Sequence, residues 1–383
     1  MRVLNLDPNG GAPSPFLPDG SGNALWNSGA GPAADANGFI YDLTANGPFE
    51  TTLTANGFPN MGDYGDTFLK LSTAGSLSVS DYFTPFNQAN AAANDTDLGS
   101  GGAVVLPDMV DHSDAIRHLA IGAGKDTNIY LVDRVKMGKF NPASNGNIYQ
   151  ELAGALPGGE FATAAYFNGA VYYGPVGGAL RKFTFTQALL DSIPAAMTST
   201  VFSYPGVTPS VSSSGSNAAI VWAYENPNGG GPAVLHAYNA ADLTELYNSN
   251  QRPGRDQFGV ANKFITPTIS NGKVLAGTTN SVGVFGLLSE ADTLSQPAVI
   301  TLGLGLYAFV TGADGHLFLN WWDGSAWHWE DQGLPPGTSA ASAPGVITIG
   351  PGLYASVTGD NGHLFLNWWD GSAWHWEDQG AEP

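Results

Sequence analysis

The residues best suited to chemistry stand near the C-terminal end, in a stretch that occurs twice. Thr311 to Gly333 reads TGADGHLFLNWWDGSAWHWEDQG and Thr358 to Gly380 reads TGDNGHLFLNWWDGSAWHWEDQG, differing only at Ala313/Asp360 and Asp314/Asn361. Alternation along a strand puts His316, Phe318, Asn320 and Trp322 on one face, and Leu317, Leu319 and Trp321 on the other. Asp323-Gly324 is a hairpin signal. A two-residue turn there sets Asn320 opposite Trp327 and Phe318 opposite Trp329, with His328 and Glu330 sharing the face of Leu319 and Trp321. Indoles offer flat apolar walls, while Asn, His and Glu offer donors and acceptors, the combination that recognises a pyranose. The candidate ligand residues are therefore Asn320, Trp322, Trp327, His328 and Glu330, with Asn367, Trp369, Trp374, His375 and Glu377 in the second copy. Two such sites would raise avidity for a multivalent glycan. Tryptophan packed between sheets is the competing role, expected for about half of the eight indoles in these copies.

Positioning such a surface requires sheets. Apolar runs of four to eight residues recur between Gly, Asn, Asp and Pro, as at 38–43, 67–71, 118–122, 128–132, 170–173, 219–224, 233–238 and 273–277. One stretch, Phe185 to Met197, reads as helical and is cut short by Pro194. The strands fall into five groups, near 24–92, 101–152, 161–198, 199–250 and 257–288, followed by the twin units at 296–335 and 343–383. A repeated unit of this size cannot bury its own apolar face and must stack on neighbours. The fold class expected is all-β, a β-propeller of four-stranded blades, seven in number (five plus two). The domain division expected is 1–288 and 296–383.

Composition narrows the function. The 383 residues include Gly 51 and Pro 25 with 12% charged residues, which disfavours helix bundles. A net charge of −20, with no Lys or Arg after Lys273, argues against nucleic acid and anionic membranes as partners. Cysteine is absent, removing disulfides, thiolate nucleophiles and Cys-ligated metals. No apolar run reaches the length of a membrane span, and no export signal is visible at the start.

Two resemblances follow from particular stretches. Gly62–Ser72, Asp81–Gln88, Asp97–Gly102, Gly122–Arg134 and Phe264–Val274 resemble bacterial quinoprotein-like (PQQ-like repeat) β-propellers over about residues 1–288. Such propellers are usually eight-bladed, which implies that about three N-terminal blades are missing and that Arg2–Leu6 is the last strand of a blade. The W-D-G-S-x-W core of the twin units resembles the blades of secreted bacterial propeller lectins that bind fucose and related sugars. Together these imply one hybrid propeller locked by Arg2–Leu6, or an incomplete propeller followed by a separate pair of blades.

Cofactor-bearing quinoproteins use a stacking Trp, a metal-binding acid/amide set and often adjacent cysteines. Here there is no cysteine, and outside the twin units only Trp26 and Trp222 remain. No cofactor and no enzyme activity are expected. The acidic group Asp108, Asp111, His112 and Asp114 lacks EF-hand spacing and reads as a solvated loop, with no metal expected. Gly122–Asp126 lacks the full phosphate-loop pattern and reads as a turn. The function expected is a non-catalytic, lectin-like propeller binding a glycan, located extracellularly or in the periplasm. The rival readings are a scaffold that binds protein or self-associates through blade edges, and a degenerate quinoprotein oxidoreductase.

Overall fold

The computed structural model describes residues 24–227, 230–286 and 296–381. The chain is all-β, with two short helices, Gln88–Ala93 and Pro253–Asp256, among the described residues. It divides into two compact units. One holds the described residues up to Gln251 together with Gln257–Phe285, and the other holds Arg252–Asp256 and the described residues from Gly286 onward. The expected strand at Arg2–Leu6 lies outside the described residues.

The first unit is a run of antiparallel meanders whose strands pair in chain order. The first contains Ala33–Ala34, Ile40–Leu43, Phe68–Ser72 and Ser78–Thr84, with Lys139–Phe140 added in parallel. The second contains Val104–Val105, Leu119–Ala123, Ile129–Asp133 and Gln150–Leu152. The third contains Ala165–Phe167, Ala170–Tyr173, Gly178–Thr186 and Ala196–Phe202, the fourth runs from Ser210–Ser214 to Glu245–Asn248, and the fifth has Thr268–Ser270, Lys273–Gly277 and Val282–Gly286. First strands lie beside first strands: Ala33–Ala34 against Val104–Val105, and Ser210–Ser214 against both Ala165–Phe167 and Thr268–Ser270. Meanders that share their first strands in this way are propeller blades, which leave only short edges unpaired. Middle strands are therefore covered on both faces; Leu119–Ala123 is buried along its whole length.

The stretch 185–197 is not helical. Gln187 and Ala188, both at positive φ, form a two-residue turn that pairs Phe185 with Leu190 and Thr186 with Leu189. The apolar periodicity there came from a hairpin and a following strand, Ala196–Phe202, whose alternate residues are buried.

The second unit holds the twin sheets. The first copy has strands Ala298–Leu302, Gly305–Thr311, Leu317–Trp322 and Trp327–Asp331, and the second has Gly345–Ile349, Gly352–Thr358, His363–Trp369 and Trp374–Ala381. Their first strands again lie side by side. Phe309, Leu317 and Leu319 of the first copy and Leu353, Ala355, Val357 and Phe365 of the second form one buried core, edged by Trp321, Trp369, Trp374 and Trp376. No helix among the described residues is long and apolar enough to cross a membrane.

Candidate functional site

The hairpin of each copy is longer by two residues than the Asp-Gly signal implies. Asp323 Oδ1 accepts the N–H groups of Ser325 and Ala326 at 2.7 and 2.8 Å and the Ser325 hydroxyl at 2.8 Å, so four residues form the loop and Trp322 pairs with Trp327. Asn320 consequently faces Trp329, not Trp327, and Phe318 faces Asp331. A register change of two keeps every side chain on its expected face. The second copy repeats the arrangement around Asp370. Both loop carboxylates are held well below the ordinary carboxylate range, Asp323 chiefly by the Ala326 N–H and then by His328, Asp370 chiefly by His375 and then by the Ala373 N–H.

The ten candidate residues divide between faces. Asn320, Trp322 and Trp327 share one face of the first copy, where Trp322 and Trp327 stand 5.6 Å apart at 50°. His328 and Glu330 share the other. His328 Nε2 is 2.7 Å from Asp323 Oδ2, and Glu330 Oε1 accepts the Trp321 indole N–H at 2.8 Å. The polar pair therefore fixes its own hairpin and does not join the Asn320 group. In the second copy, Trp369 and Trp374 keep the same mutual geometry, 5.5 Å and 51°, and His375 likewise bonds Asp370 at 2.7 Å, while Glu377 is exposed.

Identical stretches meet different surroundings. The Asn367–Trp369–Trp374 face of the second copy packs against the Leu317–Leu319–Trp321 face of the first. Trp374 meets Phe309 edge-on at 5.8 Å, and the Trp376 indole donates to the Gln332 carbonyl at 2.8 Å. Asn367 is fully buried there, and neither its Oδ1 nor its Nδ2 finds a partner. The matching face of the first copy is open: Trp327 is 51% and Trp329 64% exposed, beside Trp322 and Asn320. Trp329 was outside the residues singled out from sequence, although its spacing of two from Trp327 puts it on the same face. The open surface thus consists of Asn320, Trp322, Trp327 and Trp329, an amide among three indoles.

The opposite face of the second copy is also uncovered, and it differs in sequence. Ser356 stands where the first copy has the buried Phe309, and it bonds the Gly345 carbonyl at 3.3 Å. A polar residue replaces the ring on a face that no sheet covers among the described residues.

The sequence matches no known protein family and no curated protein. Among solved structures, the chain is similar to the β-propeller domain of Cps50 (Swd1) from Myceliophteria thermophila, at 10% identity over 92% of this chain and 97% of that one, with a TM-score of 0.37. It is similar to BamB from Moraxella catarrhalis at 11% identity, over 94% and 90%, with a TM-score of 0.37. The computationally designed Ika4 protein aligns at 12% identity over 44% of this chain and 85% of its own, with a TM-score of 0.31.

Proposed function

We propose that this is a non-catalytic, carbohydrate-binding propeller protein whose ligand stacks on the open face of the first twin sheet, at Trp327 and Trp329. The supporting observation is the asymmetry of exposure. Two indoles stand more than half in water in the first copy, while Trp374 and Trp376, their equivalents, are partly buried against the first copy. An exposed indole pair is costly to keep wet, and an apolar C–H face of a sugar covers it at little entropic cost, since indoles have few rotatable bonds. Asn320, half-buried on the same face, is the polar side chain beside them. His328 and Glu330 orient the hairpin in this reading and do not touch the sugar.

The test is glycan-array binding by the intact protein and by Trp327→Ala and Trp329→Ala. Each change is expected to lower apparent affinity by about tenfold or more, the range for a stacking aromatic anchor. Binding that survives both changes removes the sugar from this face. Capture of a protein ligand by the same face, lost on the same changes with no glycan bound, would favour the scaffold reading.

A further inference from the structure

The twin stretches differ at only two of their positions, and both differences converge on one place. Asp314, which is Asn361 in the second copy, and Asp360, which is Ala313 in the first, line an open cleft of about 520 Å³ together with Arg252, Leu334, Pro336, Thr338 and Ser339. All belong to the second unit. Arg252 and Arg255 are the only cationic Lys or Arg side chains this unit contains, and both are used here. Arg252 Nη1 donates to Ser339 Oγ at 2.9 Å and to Asp360 Oδ2 at 3.3 Å, and Arg255 Nη1 donates to the carbonyl of Ala313 at 2.9 Å. Ser339 and Asp360 are also bonded to each other. The two differences between the twins therefore bring Asp360 into hydrogen bonding with Arg252 and put Asp314 in the lining of the same cleft.

The groups left over define a ligand. Nε and Nη2 of Arg252 make no hydrogen bond among the described residues, and Asp314 spends Oδ1 on the His316 N–H at 3.0 Å. Donors and acceptors thus face one space, walled on one side by Leu334 and Pro336. The volume lies within the range of small-molecule sites. Two carboxylates against one guanidinium disfavour an anion, and the guanidinium disfavours a simple cation. A neutral molecule with adjacent hydroxyls satisfies both, each hydroxyl accepting from the guanidinium and donating to a carboxylate.

We propose that this cleft is a second ligand site, separate from the indole face, for a neutral monosaccharide unit held through a vicinal diol by Arg252, Asp314 and Asp360, with its C–H face on Leu334 and Pro336. It shares a ligand class with the proposed function but none of its residues.

The experiment titrates the intact protein with a panel of free monosaccharides (glucose, galactose, mannose, fucose and N-acetylglucosamine) by saturation-transfer NMR. It is repeated on Asp314→Asn, Asp360→Ala and Trp329→Ala. The two swaps give each copy the residue its twin carries at the matching position, and a thermal melt of each variant checks that it folds. The expected result is that at least one sugar saturates in the millimolar range, that each swap weakens it by about tenfold or more, and that Trp329→Ala leaves it unchanged. Absence of saturable binding by the whole panel overturns the proposal, as does binding unaltered in either swap. Loss with Trp329→Ala alone supports the indole face and overturns the cleft; loss in the swaps alone supports the cleft and not the indole face.

Discussion

Asn367 has no partner for either side-chain polar atom although it is fully buried, whereas its twin Asn320 stands on the open face. A buried amide without hydrogen bonds costs about 1–3 kcal/mol. Asn367→Leu is therefore expected to stabilise the protein by about 1 kcal/mol or more in urea unfolding and to leave sugar binding unchanged. Asn320→Leu is expected to reduce binding. Equal effects of both changes on binding would contradict the assignment of Asn320 to the ligand surface. The faces on which the candidate residues lie were legible in the sequence, because residues two apart along a strand share a side. The pairing of Asn320 with Trp329 was not, since it depends on Asp323 lengthening the loop by taking up two N–H groups with its side chain.

Sheet-level packing explains Phe309 and Ser356. Phe309 is buried between the twin sheets against Trp374, and Phe309→Ser is expected to destabilise by about 3–5 kcal/mol, as for other large-to-small core changes. Ser356→Phe, at the matching place on the uncovered face, is expected to change stability by less than about 0.5 kcal/mol but to promote self-association, seen as a rise in sedimentation coefficient with concentration. A monomer at all concentrations would show that Ser356 has no role in keeping that face apart. Most strands, including those at 119–123, 129–133 and 170–173, were visible as apolar runs between turn residues. The error at 185–197 has a plain cause: Phe185, Leu189, Leu190 and Met197 sit at helical spacing, and the left-handed turn at Gln187-Ala188 carries no Gly or Asn to announce it. Which face of which twin sheet would be covered could not be read, since the two sequences are nearly the same.

At the scale of the whole molecule, the buried carboxylates of the first unit respond to pH with the opposite sign to the exposed loop carboxylates of the second, and Asp35 and Asp111 of the first unit, both lowered, act only below about pH 4. In the first unit burial raises Asp42 to about 6, Asp66 to about 7 and Asp126 to about 6. A carboxylate raised on folding stabilises fully below its unfolded value near 4 and loses that contribution as pH rises through the folded value. The first unit is therefore expected to weaken between about pH 4 and 7, and Asp66→Asn to flatten this slope, by at most about 4 kcal/mol. In the second unit Asp323, Asp370 and Asp378 are lowered, so their contribution is present above about pH 4 and lost below it. Calorimetry from pH 3 to 8 with tryptophan fluorescence, which reports mainly the second unit, checks both signs; parallel shifts of all transitions would refute them. The near-identity of the twin stretches has a further consequence for how this protein can change. A side chain shared by both copies must be tolerable in a dry contact and in water at once, and tryptophan, apolar over its body with one donating edge, meets both demands. Any substitution copied from one stretch into the other would be judged twice, under unlike conditions, and the few places free to diverge are those where one setting alone matters.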